Sequence, residues 1–140
     1  MVTGAGTHKG RLGISDFAVV DRVLWEAREV HFYRFGDRPP STDSLLVAMA
    51  FEMDTVISAW IHVHCAVDTP HSLKLNYPAI QKIDWSSLRA MVESGARVIN
   101  LIDHDVSKSA NQKLDSVIIL GENIEEAVEL ALSLIPQPDR

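Results

Sequence analysis

Two histidines separated by one residue, His62 and His64 in Trp60-Ile-His-Val-His-Cys65, are the pair in this chain most able to do chemistry. On an extended strand alternate side chains share a face, so both imidazoles project together with their Cα atoms roughly 6.5 Å apart. Two nitrogens so placed can converge on one ion at the roughly 2.0–2.1 Å that zinc prefers. The same spacing also serves a pair of partly buried histidines hydrogen-bonded to backbone or to water. Ile61 and Val63 then point the other way, into the core. Cys65 also falls on the face away from His64 and reads as a small buried hydrophobe rather than a nucleophile.

A third ligand must come from elsewhere in the chain. His104, in Ile102-Asp-His-Asp-Val106, directly follows an apolar run, where functional loops are usually carried. Asp103 or Asp105 beside it can hold its second ring nitrogen, as metal-binding histidines require. Read alone, His104 is better taken as a solvated loop histidine between two acids. His71, beside Pro70, is a weaker candidate, and His8 and His31 have no flanking residues that favour ligation.

Asp43 stands in the first turn of a helix that opens at Ser41 and Thr42. Free N–H groups and the positive dipole end favour anions there. An acid in that place either uses the dipole for stability or is placed for proton transfer, with Ser41 and Thr42 holding a phosphate or carboxylate. The glycine-rich stretch Gly4–Gly10, which includes Gly6 and Lys9, has the composition of a backbone anion cradle. It lacks the spacing of a P-loop or a dinucleotide fingerprint.

The elements that must position these residues read as strands first, then alternating helices and strands. Phe17–Asp21 and the aromatic Glu29–Phe35 are strand-like, and Gly36-Asp-Arg-Pro-Pro40 is a turn. Leu45, Leu46, Met49, Ala50 and Met53 recur at helical spacing behind a Ser41 cap, which predicts a helix over about residues 42–53. The β-branched and aromatic Thr55–His64 predicts a central strand, and residues 71–82 are irregular around Pro70 and Pro78. Asp84 caps a helix over Trp85–Ser94 that Gly95 stops. Arg97–Ile102 and Ser116–Leu120 are apolar strands, and Asn123 with Glu126 is a capping-box pattern opening a helix to about Leu134. The fold class is α/β: one three-layer domain over residues 1–140, a mixed sheet covered by helices on its faces.

Composition bounds the function. The 140 residues suit one domain with a proper core. A net charge of −6 with no basic cluster argues against nucleic acid as a partner. Apolar runs such as Leu45–Phe51 fall far short of the roughly 20 residues of a membrane span. The single Cys65 excludes an intrachain disulfide and, with no secretory signal in view, points to the cytoplasm.

Taken in order, Val2-Thr-Gly-Ala-Gly-Thr-His-Lys-Gly10, Asp16-Phe-Ala-Val-Val-Asp21, Pro40-Ser-Thr-Asp43 and His62-Val-His64 resemble the class II aldolase/adducin family. This is the group of fuculose-phosphate and ribulose-phosphate-type aldolases and epimerases. Asp103-His-Asp-Val106 is similar to its Asn-His-Gly-Val segment, and Gly121-Glu-Asn-Ile-Glu-Glu-Ala127 to the start of its late helix. The resemblance covers nearly the whole chain and begins after the family's N-terminal helix and first strand.

It implies a class II aldolase-like fold with zinc ligands His62, His64 and His104. An alternative alignment puts Asp115 in the place of the third ligand. Asp43 takes the place of the family's acid/base glutamate, Ser41 and Thr42 that of its phosphate-binding serines, and Gly6 that of its anion-binding turn. The implied activity is that of a zinc-dependent lyase, cleaving or forming a C–C bond in a small phosphorylated sugar through a metal-stabilised enediolate. Related dehydratases, epimerases and decarboxylases share that metal site, whereas likeness to adducin itself implies a non-catalytic binding or assembly domain. The resemblance also implies a homo-oligomer, commonly a tetramer.

Overall fold

The computed structural model describes residues 1–3, 13–24, 29–40, 44–65, 67–75, 84–103 and 116–134. Among them are three α-helices and two sheets, a mixed α/β architecture. The chain divides between Met49 and Ala50 into two compact units.

The first unit carries a three-stranded antiparallel sheet in the order β1 (Val2–Thr3), β2 (Phe17–Leu24), β3 (Glu29–Arg34). The β2–β3 register shifts between Val20 and Arg22, a bulge that adds local twist. Ala18 is fully buried, while Tyr33 and Phe35 stay largely exposed. A 3-10 turn, Ile14–Asp16, leads into β2, and its Asp16 carboxylate accepts the Gly13 N–H at 2.9 Å. Gly36 lies hard against this turn: a Cβ there would collide with the Ser15 carbonyl oxygen, so only glycine fits.

Helix α1 (Ser44–Met53) buries Leu46, Val47 and Ala50. Leu46 and Ala50 are buried as the periodicity predicts, and Met49 and Met53 are half-buried.

The second unit is built on a four-stranded sheet in the order β4 (Ala59–Val63), β7 (Ser116–Gly121), β6 (Val98–Asp103), β5 (Ser72–Leu75). β7 runs antiparallel to both of its neighbours, and β5 runs parallel to β6. β4, β5 and β6 therefore all point the same way along the sheet. Helix α2 (Trp85–Glu93) connects β5 to β6 and buries Leu88 and Val92. Helix α3 (Ile124–Leu134) packs on β4 and β7, where Ala131 joins Val117 and Ile119. The opposite face, Leu73, Ile99, Leu101, Ile118 and Leu120, is at most 4% exposed, so both faces of the sheet are covered. That explains why β7 reads as an unbroken apolar run rather than an alternating one.

Local signals end the helices as the sequence predicts. Asp84 caps α2, and Gly95 stops it with φ of +88°, a left-handed conformation open to glycine at no cost. At α3 the Asn123 carbonyl Oδ1 accepts the Glu126 N–H at 2.9 Å, while the Glu126 carboxylate reaches past the cap to the Glu122 N–H at 2.6 Å.

Two readings change. The run Thr55–His64 is not a central strand: residues 55–56 form a turn, and β4, reduced to Ala59–Val63, lies at the sheet edge. The central place goes to β7, whose six residues are all buried. Part of the irregular 71–82 segment is strand β5, because Ser72–Leu75 find a parallel partner in β6.

No helix among the described residues is long and apolar enough to cross a membrane.

An ion pair ties the end of α1 to the start of β6. Arg97 Nη2 lies 3.1 Å from Asp54 Oδ2, with about a quarter of each side chain exposed. Asp54 Oδ1 also accepts the Val56 N–H at 2.9 Å. Asp54→Ala is expected to lower stability by about 1–3 kcal/mol, because the guanidinium loses its counter-charge. Adding Arg97→Met should recover part of that loss, as urea titration of the three variants will show. The Asp84 carboxyl is held down at about 2 by the Ser86 hydroxyl, then the Ser87 hydroxyl and the Ser87 N–H. A depressed carboxyl stabilises the fold above its unfolded value near 3.8 and loses that stabilisation as pH falls toward about 2. The stability difference between wild type and Asp84→Ala should therefore be flat above pH 5 and shrink through this window, read by denaturant midpoints at each pH.

Candidate functional site

Strand β4 places the histidine pair. Its register, Ile61 with Ile119 and Val63 with Val117, turns Ile61 and Val63 onto the face covered by α3. Cys65 packs against the same apolar cluster, as a small hydrophobe would. Trp60, His62 and His64 alternate onto the other face. His62 is half-buried with its Nε2 shielded from solvent, whereas His64, just past the strand end, is exposed.

The three rings form a row. The Trp60 and His62 centroids are 6.3 Å apart with planes 23° apart, and those of His62 and His64 are 4.8 Å apart at 45°. A zinc ion about 2.0–2.1 Å from an imidazole nitrogen lies roughly 3.2 Å from the ring centre, so two rings at a tetrahedral angle have centres roughly 5 Å apart. The observed separation fits two ligands of one divalent ion. Trp60 flanks the His62 ring on the side away from His64.

The remaining candidates divide into three groups. His71 immediately precedes β5, three strands from β4; at about 4.8 Å per strand that is roughly 14 Å, too far to share an ion with the pair. His31 lies on β3 of the first unit. Gly6, Ser41, Thr42, Asp43, His104 and Asp115, with His8 and Lys9, lie outside the described residues. β6 runs the same way as β4 and ends at Asp103, four residues beyond the row that His62 shares with Ile118 and Ile99. Among the described residues, no group of three or more His, Cys, Asp or Glu is placed to hold a metal ion.

Sequence reasoning overlooked the polar residue that shapes this end of the sheet. Asn100 sits in the middle of β6. Its Nδ2 donates to the Val67 carbonyl at 2.7 Å, and its Oδ1 accepts the Val67 N–H at 3.2 Å. The signal was present in Arg97-Val-Ile-Asn-Leu-Ile102: an amide within an apolar strand needs partners for both ends. Two residues further on, Thr69 Oγ1 donates to the Val98 carbonyl at 3.1 Å and accepts the His71 N–H at 3.3 Å.

No protein-family model, curated protein or solved structure matches the chain.

The face assignment is testable through stability alone. Ile61→Asp forces a charge against Val117 and Ile119 and should cost about 3 kcal/mol. His64→Ala, at an exposed position, should change stability by less than about 0.5 kcal/mol. Equal costs in thermal unfolding would mean that the strand presents the other face to α3.

Proposed function

We propose that this chain is a zinc-dependent, class II aldolase-like lyase acting on a small phosphorylated sugar or a related carbonyl compound. The observation that carries the proposal is the pair of imidazoles 4.8 Å apart on one face of β4. In this reading His62, His64 and His104 hold the ion, with Asp115 as the substitute third ligand. A divalent ion there polarises a carbonyl and stabilises the negative charge that develops when the adjacent C–C bond breaks.

The chain's own groups do the rest. Asp43 moves the proton, and Ser41, Thr42 and Gly6 bind the substrate phosphate through hydroxyl and backbone donors. Trp60 keeps water from one side of the His62 ring. The family resemblance is the ground for proposing a class II aldolase-like arrangement of the sheet and a homo-oligomer, and the single Cys65 is the ground for proposing a cytoplasmic setting in which it stays reduced.

Metal content decides first. Protein purified without a histidine tag should hold roughly one divalent ion per chain by elemental mass spectrometry, lost in His62→Ala and in His104→Ala. An ion retained in His104→Ala moves the third ligand to Asp115. With metal bound, Asp43→Ala should lower turnover of a phosphorylated ketose by roughly 10²–10⁴-fold at unchanged metal content. No ion even after added zinc would favour the non-catalytic, adducin-like alternative.

A further inference from the structure

We infer that Asn100 is the positioning residue of the histidine pair: its side-chain amide holds the chain as it leaves β4 and thereby sets where His64 stands relative to His62. The inference takes its functional meaning from the metal-site reading above but rests on separate geometry.

The topology requires a lateral crossing. Across the sheet, Val63, Val117, Asn100 and Ser72 lie in one row, from β4 through β7 and β6 to β5. β4 therefore ends on the row where β5 begins, and residues 64–71 must pass sideways over β7 and β6 to connect them. At about 4.8 Å per strand this is roughly 14 Å. Eight residues would reach about twice that if extended, so length alone does not fix the path.

The Asn100 amide fixes it. With one donor and one acceptor on the same backbone residue, it treats Val67 as a neighbouring strand would, and both bonds are partly buried. Val67 is thereby drawn onto the α3 face, where it packs against the cluster of Val117, Ile119 and Ala131 together with Cys65. His64 is left on the opposite face, on a bend between the end of β4 and this anchored segment. Two restraints act on it: the ladder to β7 up to Val63, and the Asn100 clamp three residues beyond. The Thr69 tether to Val98 acts further along, where the chain already approaches β5.

The experiment compares Asn100→Ala, Asn100→Asp and Thr69→Ala with the wild-type chain. The isosteric Asn100→Asp keeps the acceptor for the Val67 N–H but cannot donate to its carbonyl, and it serves if the alanine variant fails to fold. Two readouts are taken on variants with an intact cooperative thermal transition. The first is the nuclear Overhauser contact between the His62 and His64 rings in metal-free protein. The second is Co²⁺ affinity from its d–d absorption. Loss of the ring contact and a tenfold or greater loss of Co²⁺ affinity are expected in the Asn100 variants, with Thr69→Ala within twofold of wild type. A ring contact retained in a folded Asn100 variant, or lost equally in Thr69→Ala, overturns the inference. If the wild-type chain binds no Co²⁺ yet loses the ring contact on Asn100 substitution, the metal reading fails and the positioning role stands.

Discussion

The ladder between β4 and β7 is the constraint on which the candidate site depends. Side chains alternate with a period of two, so pairing Val63 with Val117 and Ile61 with Ile119 fixes which face each residue of β4 occupies. A slip of one residue would drive His62 and His64 under α3 and turn Ile61 and Val63 away from it. Each imidazole would then need a buried partner, and each lost apolar contact would cost about 1–2 kcal/mol. The apolar cluster beneath α3 thus specifies the polar pair on the other face. β7 can enforce this because it is buried along its whole length and paired on both sides.

An edge strand is an economical place for such a pair. A central strand has side chains from two neighbours on each face, and a half-exposed imidazole there would displace core packing. At the edge, His62 has one flank on Ile118 of β7 while His64 reaches solvent just past the strand end. The price of an edge is an unpaired backbone row, and β4 limits it by being short, with a turn before it and a bend after it.

Polar groups then lock the connections that apolar packing leaves loose. Hydrophobic contact decides that Val67 lies over Val117, but it is non-directional and would tolerate several paths. The Asn100 amide selects one, since a donor and an acceptor on one residue leave a single orientation. The Arg97–Asp54 pair does the same for the approach to β6. Both interactions are modest in net energy, yet leaving either half unpaired is costly, which is why such groups specify geometry more than they add stability.

Short-range chemistry made much of this legible in advance. The strand over β2, the Asp84 cap, the Gly95 stop and the opposite facing of Cys65 and His64 follow from alternation, capping and φ preference, all of which act within a few residues. The histidine pair was legible for the same reason, because alternation carries from His62 to His64, one residue past the end of β4, wherever that strand lies. The sequence did not disclose that β4 sits at an edge, that Ser72–Leu75 is a strand, or that Asn100 answers to Val67. Each depends on a partner at least 28 positions away, and pairing at that distance is decided by which apolar faces can be buried together. The same reasoning divides the candidate site: alternation alone puts His62 and His64 on one face, whereas the hold of Asn100 on Val67, like any meeting with His104 or Asp43, belongs to tertiary structure.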